Sequence, residues 1–144
     1  MEYKLSTSSN KDINRLIEYK KRTIYEYAKD LSNEEIDKIN KYVTSEVPKL
    51  INDYCNIIVD NKIVGCLLLT NKDDGKLLDE IYLEEEYRNK GYSKILNDAI
   101  LNEAKKKGYN RIYLKSNLVN YYEKFGAKYI KTLNNKEKLY YIDL

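Results

Sequence analysis

The segment Tyr87–Ser93, Tyr-Arg-Asn-Lys-Gly-Tyr-Ser, gathers an arginine, a lysine and one of only five glycines in one turn. It lies between the β-rich run Leu77–Leu83 and an amphipathic run that ends at Gly108. The first N–H groups of a helix have no intrahelical partner and carry partial positive charge, so helix starts favour acidic residues. Cations here need another reason. A bound anion supplies one: a phosphate accepts the free N–H bonds, Gly91 lets the backbone approach closely, and Arg88, Lys90 and Lys94 neutralise the charge. On this segment alone, a solvated turn capped by glycine reads equally well. The segment is neither a P-loop, which requires Gly-Lys-Ser/Thr, nor a dinucleotide fingerprint of three spaced glycines.

The remaining composition narrows the chemistry. The 144 residues include no histidine, which removes the commonest proton carrier and both Ser-His-Asp and Cys-His nucleophile activation. Proton transfer must use Glu, Asp, Tyr, Lys or Cys. Cys55 and Cys66 form no Cys-x-x-Cys pair, so neither a zinc site nor a structural disulfide is expected, and no metal cofactor. Cys66 sits in an apolar run and reads as packing rather than as a nucleophile. The net charge of +3 comes from 26 basic and 23 acidic side chains, a mixed balance that argues against nucleic acid as partner. Lys105, Lys106 and Lys107 precede Gly108 and suit a helix C-terminus. No apolar run is long enough for a bilayer and the start lacks a signal-peptide core, so a cytoplasmic protein with no membrane partner is expected. Sixteen tyrosines against one phenylalanine predict a tyrosine-rich core.

The elements that must position these residues follow from periodicity. Residues 1–5 read as a strand, and apolar residues from Ile13 to Leu31 recur at helical spacing through about residue 30. Ser32 and Glu35 form a capping box before the stripe Ile36, Ile39, Val43 and Val47, and Pro48 should break or restart that helix. Tyr54–Val59 and Lys62–Thr70 read as a hairpin turning at Asp60 and Asn61, followed by a second turn and the strand Leu77–Leu83. A helix after Gly91, the strand Asn110–Ser116, a short helix over Leu118–Gly126 and two strands around the turn Asn134–Glu137 complete the chain. The order is β-α-α-β-β-β-α-β-α-β-β. Leu77–Ser116 is a strand–helix–strand crossover, which makes its strands parallel. The fold class is therefore α/β (α+β): a mixed sheet of six to seven strands with helices on both faces, one domain over 1–144.

Two stretches carry a resemblance. "Leu-Asp-Glu-Ile-Tyr-Leu" followed by "Arg-Asn-Lys-Gly-Tyr-Ser", and further on "Tyr-Tyr-Glu-Lys-Phe-Gly", resemble the GNAT superfamily of acetyl-CoA-dependent N-acetyltransferases. The family's Gln/Arg-x-x-Gly-x-Gly/Ala is met at Arg88 and Gly91, with Ser93 in place of the final small residue. Its second signature spans Tyr121 to Ala127, with Ala127 replacing an aromatic. The resemblance covers Leu77 to Ile130, and the element order agrees along the whole chain.

The resemblance implies a division of labour. The pantetheine arm of acetyl-CoA would bond the strand backbone at Ile81, Tyr82 and Leu83. The pyrophosphate would rest on the amides of Arg88, Asn89, Lys90, Gly91, Tyr92, Ser93 and Lys94. Asn117 or Ser116 would meet the pantetheine amide. Glu80 would take the acceptor's proton, directly or through water, with Asp79 as the rival base. Tyr122 would protonate the leaving thiolate, while Tyr121 is expected in the core. By strand alternation, Leu78 and Tyr82 should share the face of Glu80. The implied function is acetyl transfer from acetyl-CoA, as cosubstrate, to a primary amine of a small molecule or peptide in a ternary complex, by a monomer or homodimer. The alternative is a non-catalytic acyl-CoA-binding sensor or interaction module.

Overall fold

The computed structural model describes residues 2–89, 91, 93–118 and 120–144. Seven strands form one sheet: β1 (Tyr3–Thr7), β2 (Tyr54–Val59), β3 (Lys62–Lys72), β4 (Gly75–Leu83), β5 (Arg111–Ser116), β6 (Lys128–Thr132) and β7 (Lys138–Asp143). Their order across the sheet is β1-β2-β3-β4-β5-β7-β6. Among the described residues, only β4 and β5 pair in parallel. Three α-helices, α1 (Ile13–Tyr27), α2 (Asn33–Lys49) and α3 (Ser93–Lys106), complete the mixed α/β architecture.

Local chemistry accounts for most boundaries. Asp60 and Asn61 both take positive φ, 50° and 63°, giving the turn handedness that matches strand twist in a tight hairpin. Ser32 and Glu35 exchange backbone and side-chain bonds of 3.1 Å each, the capping box that starts α2. Three expectations are corrected. Helix α1 stops at Tyr27, before Leu31, because Ala28 turns to extended backbone. Pro48 lies inside the last turn of α2, which ends one residue later. There a missing N–H removes only one helical bond. The short helix over Leu118–Gly126 reduces to a 3-10 turn, Tyr122–Phe125, closed by Gly126 at φ 85°.

Period-two alternation along β3 divides the core between two faces. Leu67 and Leu69 pack with Leu96, Ile100 and Ala104 of α3. Cys66 and Leu68 pack with Leu16 and Tyr19 of α1 and with Val43 and Val47 of α2. A buried polar network fixes where α1 begins. Asp12 accepts from the Ser9 N–H (2.8 Å), the Asn56 amide (3.2 Å) and Arg15 Nη1 (2.8 Å), while the Ser8 hydroxyl donates to Asn56 (2.9 Å). Helix α1 is thereby tied to β2, and its next turns are aimed along β4.

One residue in β4 breaks the alternation. Leu68 of β3 faces Glu80, yet its neighbour Leu69 faces Leu78, so Asp79 is an extra residue, a β-bulge. Leu78 accordingly packs on the α3 face, whereas Tyr82 packs on the α1–α2 face. The expectation that Leu78 shares a face with Glu80 is therefore overturned, and the bulge is the reason.

Candidate active site

Strand β4 pairs with β5 only over Lys76–Leu78, opposite Ile112–Leu114. Among the described residues no pairing continues beyond that point, although β4 runs on to Leu83 and β5 to Ser116. The two strands part immediately after Leu78, leaving a gap. Peptide orientation along its β4 wall follows from fixed neighbours. The Glu84 N–H bonds Val64 of β3 (2.8 Å), and the Tyr82 carbonyl lies where a Cβ on Gly65 would collide with it. Alternate peptide groups, those of Ile81 and Leu83, therefore point into the gap. Tyr82 does not supply a free backbone group there, a correction to its expected role. Its ring instead stacks on Tyr19 at 4.6 Å.

At the end of β4 the chain enters the glycine turn. Arg88 is extended, Asn89 takes φ 57° and Gly91 φ 73°. A Cβ at Gly91 would meet nothing within 4 Å, so the space beside Gly91 is open, just ahead of α3, which begins at Ser93. Lys94 is exposed and pairs with Asp98 (3.7 Å). Lys90 and Tyr92, both expected in this cradle, lie outside the described residues. Arg88 is not splayed towards the turn. Its Nε donates to the Leu83 carbonyl (2.6 Å), its Nη1 pairs with Glu26 of α1 (2.9 Å), and its guanidinium lies over Tyr82 (5.0 Å to the ring centre). Its side chain joins the end of β4 to α1.

Glu80 stands where the strands part, on the α1–α2 side. Both carboxylate oxygens are engaged: Oε1 with Lys20 Nζ (3.0 Å) and Oε2 with the Tyr54 hydroxyl (3.0 Å), which donates. Burial, reinforced by the Glu80 charge, raises the Tyr54 pKa and keeps that hydroxyl a donor. Tyr19, Thr23, Cys66 and Ile81 line the same cavity. Burial also pushes the Cys66 thiol up to about 12, which leaves it protonated and inert. Asp79, the rival carboxylate, pairs with Lys115 (3.4 Å). Lys20 and Tyr54 had no sequence signal. Their meeting with Glu80 depends on how α1 and β2 pack, and only the finished fold shows it.

Tyr122 occupies the other face. It lines a small cavity with Leu78 and Leu114, the last paired residues of β4 and β5, and with Asn97 of α3. Burial raises its pKa, so the phenol holds its proton at neutral pH. Tyr121, expected in the core, is only partly buried, and its hydroxyl accepts from Asn97 (3.2 Å). Asn117 is exposed just past β5, and Ser116 is buried, its hydroxyl accepting from the Leu118 N–H (2.9 Å).

This arrangement can be set beside known proteins. The model of the acetyltransferase (GNAT) family matches residues 17–127. The chain belongs to that family. Among solved structures, it is similar to the PaiA N-acetyltransferase of Thermoplasma acidophilum in complex with coenzyme A, at 22% identity and TM-score 0.70 over all of both chains. It also resembles a GNAT-family acetyltransferase of Bacillus anthracis, at 18% identity and TM-score 0.63, over 99% of this chain and 95% of that one. A third likeness is N-acetylglutamate synthase of Neisseria gonorrhoeae with coenzyme A and N-acetyl-glutamate, at 14% identity and TM-score 0.63; all of this chain covers 35% of that one. At these identities the likenesses bear on the fold. No curated protein matched by sequence. This GNAT acetyltransferase has no helix, among the described residues, long and apolar enough to cross a membrane, and no cluster of metal-ligating side chains there.

Proposed function

We propose that this GNAT protein, acting as one domain over 1–144, transfers an acetyl group directly from acetyl-CoA to a primary amine of a small molecule or peptide. The observation that carries the reading is the gap opening after Leu78, walled by the Ile81 and Leu83 peptide groups and flanked by Glu80. An extended pantetheine arm fits as an added strand, taking the Ile81 C=O and the Leu83 N–H and leaving the Ile81 N–H for the thioester. The Leu83 carbonyl already serves Arg88. The pyrophosphate would sit on the backbone around Gly91 and Ser93.

The chemistry follows from who holds which proton. An alkylamine near pKa ~10 arrives as an ammonium and has no lone pair. Glu80 accepts that proton once the incoming ammonium replaces Lys20 beside Oε1, and the free amine attacks the thioester carbonyl. The Ile81 N–H stabilises the resulting oxyanion. Tyr122, at the fork on the opposite face, delivers a proton to the departing thiolate. Asp79 is less suited as base because it is the bulge residue, and Glu80 rather than Asp79 lines the cavity beside Ile81.

Isothermal calorimetry with acetyl-CoA, followed by turnover on a panel of amines, amino acids, polyamines and peptides, tests the reading. Wild type should bind and turn over, and Gly91→Asp should lose binding because it sets a negative charge against the phosphates. Glu80→Gln should keep binding and lose about a hundredfold in rate near neutral pH, recovering partly as the amine deprotonates. Binding without turnover on any amine would leave an acyl-CoA-binding module. No binding would end the proposal.

A further inference from the structure

The Glu80 carboxylate already holds a primary ammonium, and that ammonium belongs to the chain. Lys20 Nζ sits 3.0 Å from Glu80 Oε1 and 5.5 Å from the centre of the Tyr42 ring. The side chain is 11% exposed, whereas Lys94 is 79% exposed. Lys20 lines one cavity together with Glu80 and Ile81, where β4 leaves its pairing with β5. A second cavity, bordered by Thr23, Ile81 and Arg88, continues along the same α1–β4 wall towards the glycine turn. A lysine placed against the base, beside the expected thioester, has the attributes of an acceptor.

We infer that Lys20 is a self-acetylation site, modified in cis from acetyl-CoA. The inference rests on the acetyl-transfer reading of the same site. The Lys20 ammonium gives one proton to Glu80, which passes it to solvent. The freed Nζ attacks the thioester carbonyl, and a C–N bond forms. The tetrahedral intermediate then collapses with cleavage of the C–S bond. Its surplus N–H proton reaches the thiolate, by way of Tyr122 or water, so that CoA leaves as the thiol and Lys20 carries a neutral amide. The product has lost its charge and can no longer pair with Glu80, which frees Oε1 for an external amine.

Intact-mass and peptide-mapping mass spectrometry after incubation with acetyl-CoA tests this. Calorimetry and amine turnover are run on the same sample. One acetyl group per chain should appear, at Lys20, and ahead of Lys94. Uncatalysed acetylation favours exposed amines and would give the reverse order. The rate per chain should not change on dilution of the protein. Glu80→Gln should slow Lys20 acetylation about a hundredfold while leaving background modification of Lys94 unaltered. In Lys20→Arg the mapped acetyl group should vanish rather than move to a neighbour. If the protein binds acetyl-CoA and acetylates amines while Lys20 stays unmodified, or is modified no faster than Lys94, the inference is overturned and the acetyltransferase reading stands. If acetyl-CoA gives neither heat nor acetylation, both fall together.

Discussion

Truncating Asp12 to alanine should cost this protein a large part of its stability, and the cost should shrink in acid. The carboxylate is 2% exposed and holds three donors in place. The Asn56 amide is buried and would be left unpaired, at about 1–2 kcal/mol, while the Ser9 N–H, on an exposed residue, can turn to water, at about 0.5–1 kcal/mol. The Arg15 side chain is 38% exposed and can turn to solvent, so its share is about 0.5 kcal/mol. The sum is about 3 kcal/mol, against a total of roughly 5–15 kcal/mol for a typical domain. In a chain of this size it corresponds to a melting point lower by about 10 °C. The sign of the pH dependence follows from the Asp12 pKa. Burial alone would raise it, but the Ser9 N–H, the Asn56 amide and the Arg15 guanidinium outweigh burial and bring it below 3.8. A lowered pKa means stabilisation that is complete above about pH 4 and is lost as the pH falls through the folded-state value. Urea titrations of wild type and Asp12→Ala should therefore differ most near neutral pH, and the difference should shrink as the pH falls below about 4. A difference under about 1 kcal/mol at neutral pH, or one that does not change in acid, would refute the reasoning.

Three further outcomes are expected. Arg88→Ala should lower stability by about 1–2 kcal/mol, because the Leu83 carbonyl and Glu26 both lose their partner; an unchanged melt would show that the guanidinium is not held there. Tyr122→Phe keeps the ring packing, so CoA affinity should stay near wild type while kcat falls about tenfold or more. An unaltered kcat would reduce Tyr122 to a packing residue. Deletion of Asp79 removes the bulge without moving Glu80 to the other face, and should leave a folded protein whose CoA affinity drops sharply. Normal affinity, measured by calorimetry, would show that the gap does not depend on the bulge.

What the sequence revealed was what short-range chemistry decides. The turn at Asp60 and Asn61, the box at Ser32 and Glu35 and the crossover from Leu77 to Ser116 rest on residues a few positions apart, or on the right-handedness of parallel connections. The glycine turn was legible for the same reason. The partners of Glu80 were not. Lys20 and Tyr54 reach it from a helix and a strand distant in the chain, and neither spacing nor charge pattern marks that meeting. Arg88 shows a subtler limit. Its charge suggested a phosphate ligand, but a guanidinium also satisfies a strand-end carbonyl and a carboxylate on α1, and only packing decides between these uses.

The bulge at Asp79 links fold to chemistry. Strict alternation after Leu78 would have set Glu80 on the α3 face, beside Leu78 and the Tyr122 ring. The extra residue turns Glu80 to the α1–α2 face, where Lys20 and Tyr54 meet it. A bulge also bends its strand and increases its twist, and β4 leaves β5 just where Asp79 is inserted. One residue thus separates the proposed base from the proposed acid by the thickness of the sheet and opens the passage between them. In the proposed reaction, proton uptake from the acceptor and proton delivery to the thiolate then occur on opposite sides of the same thioester.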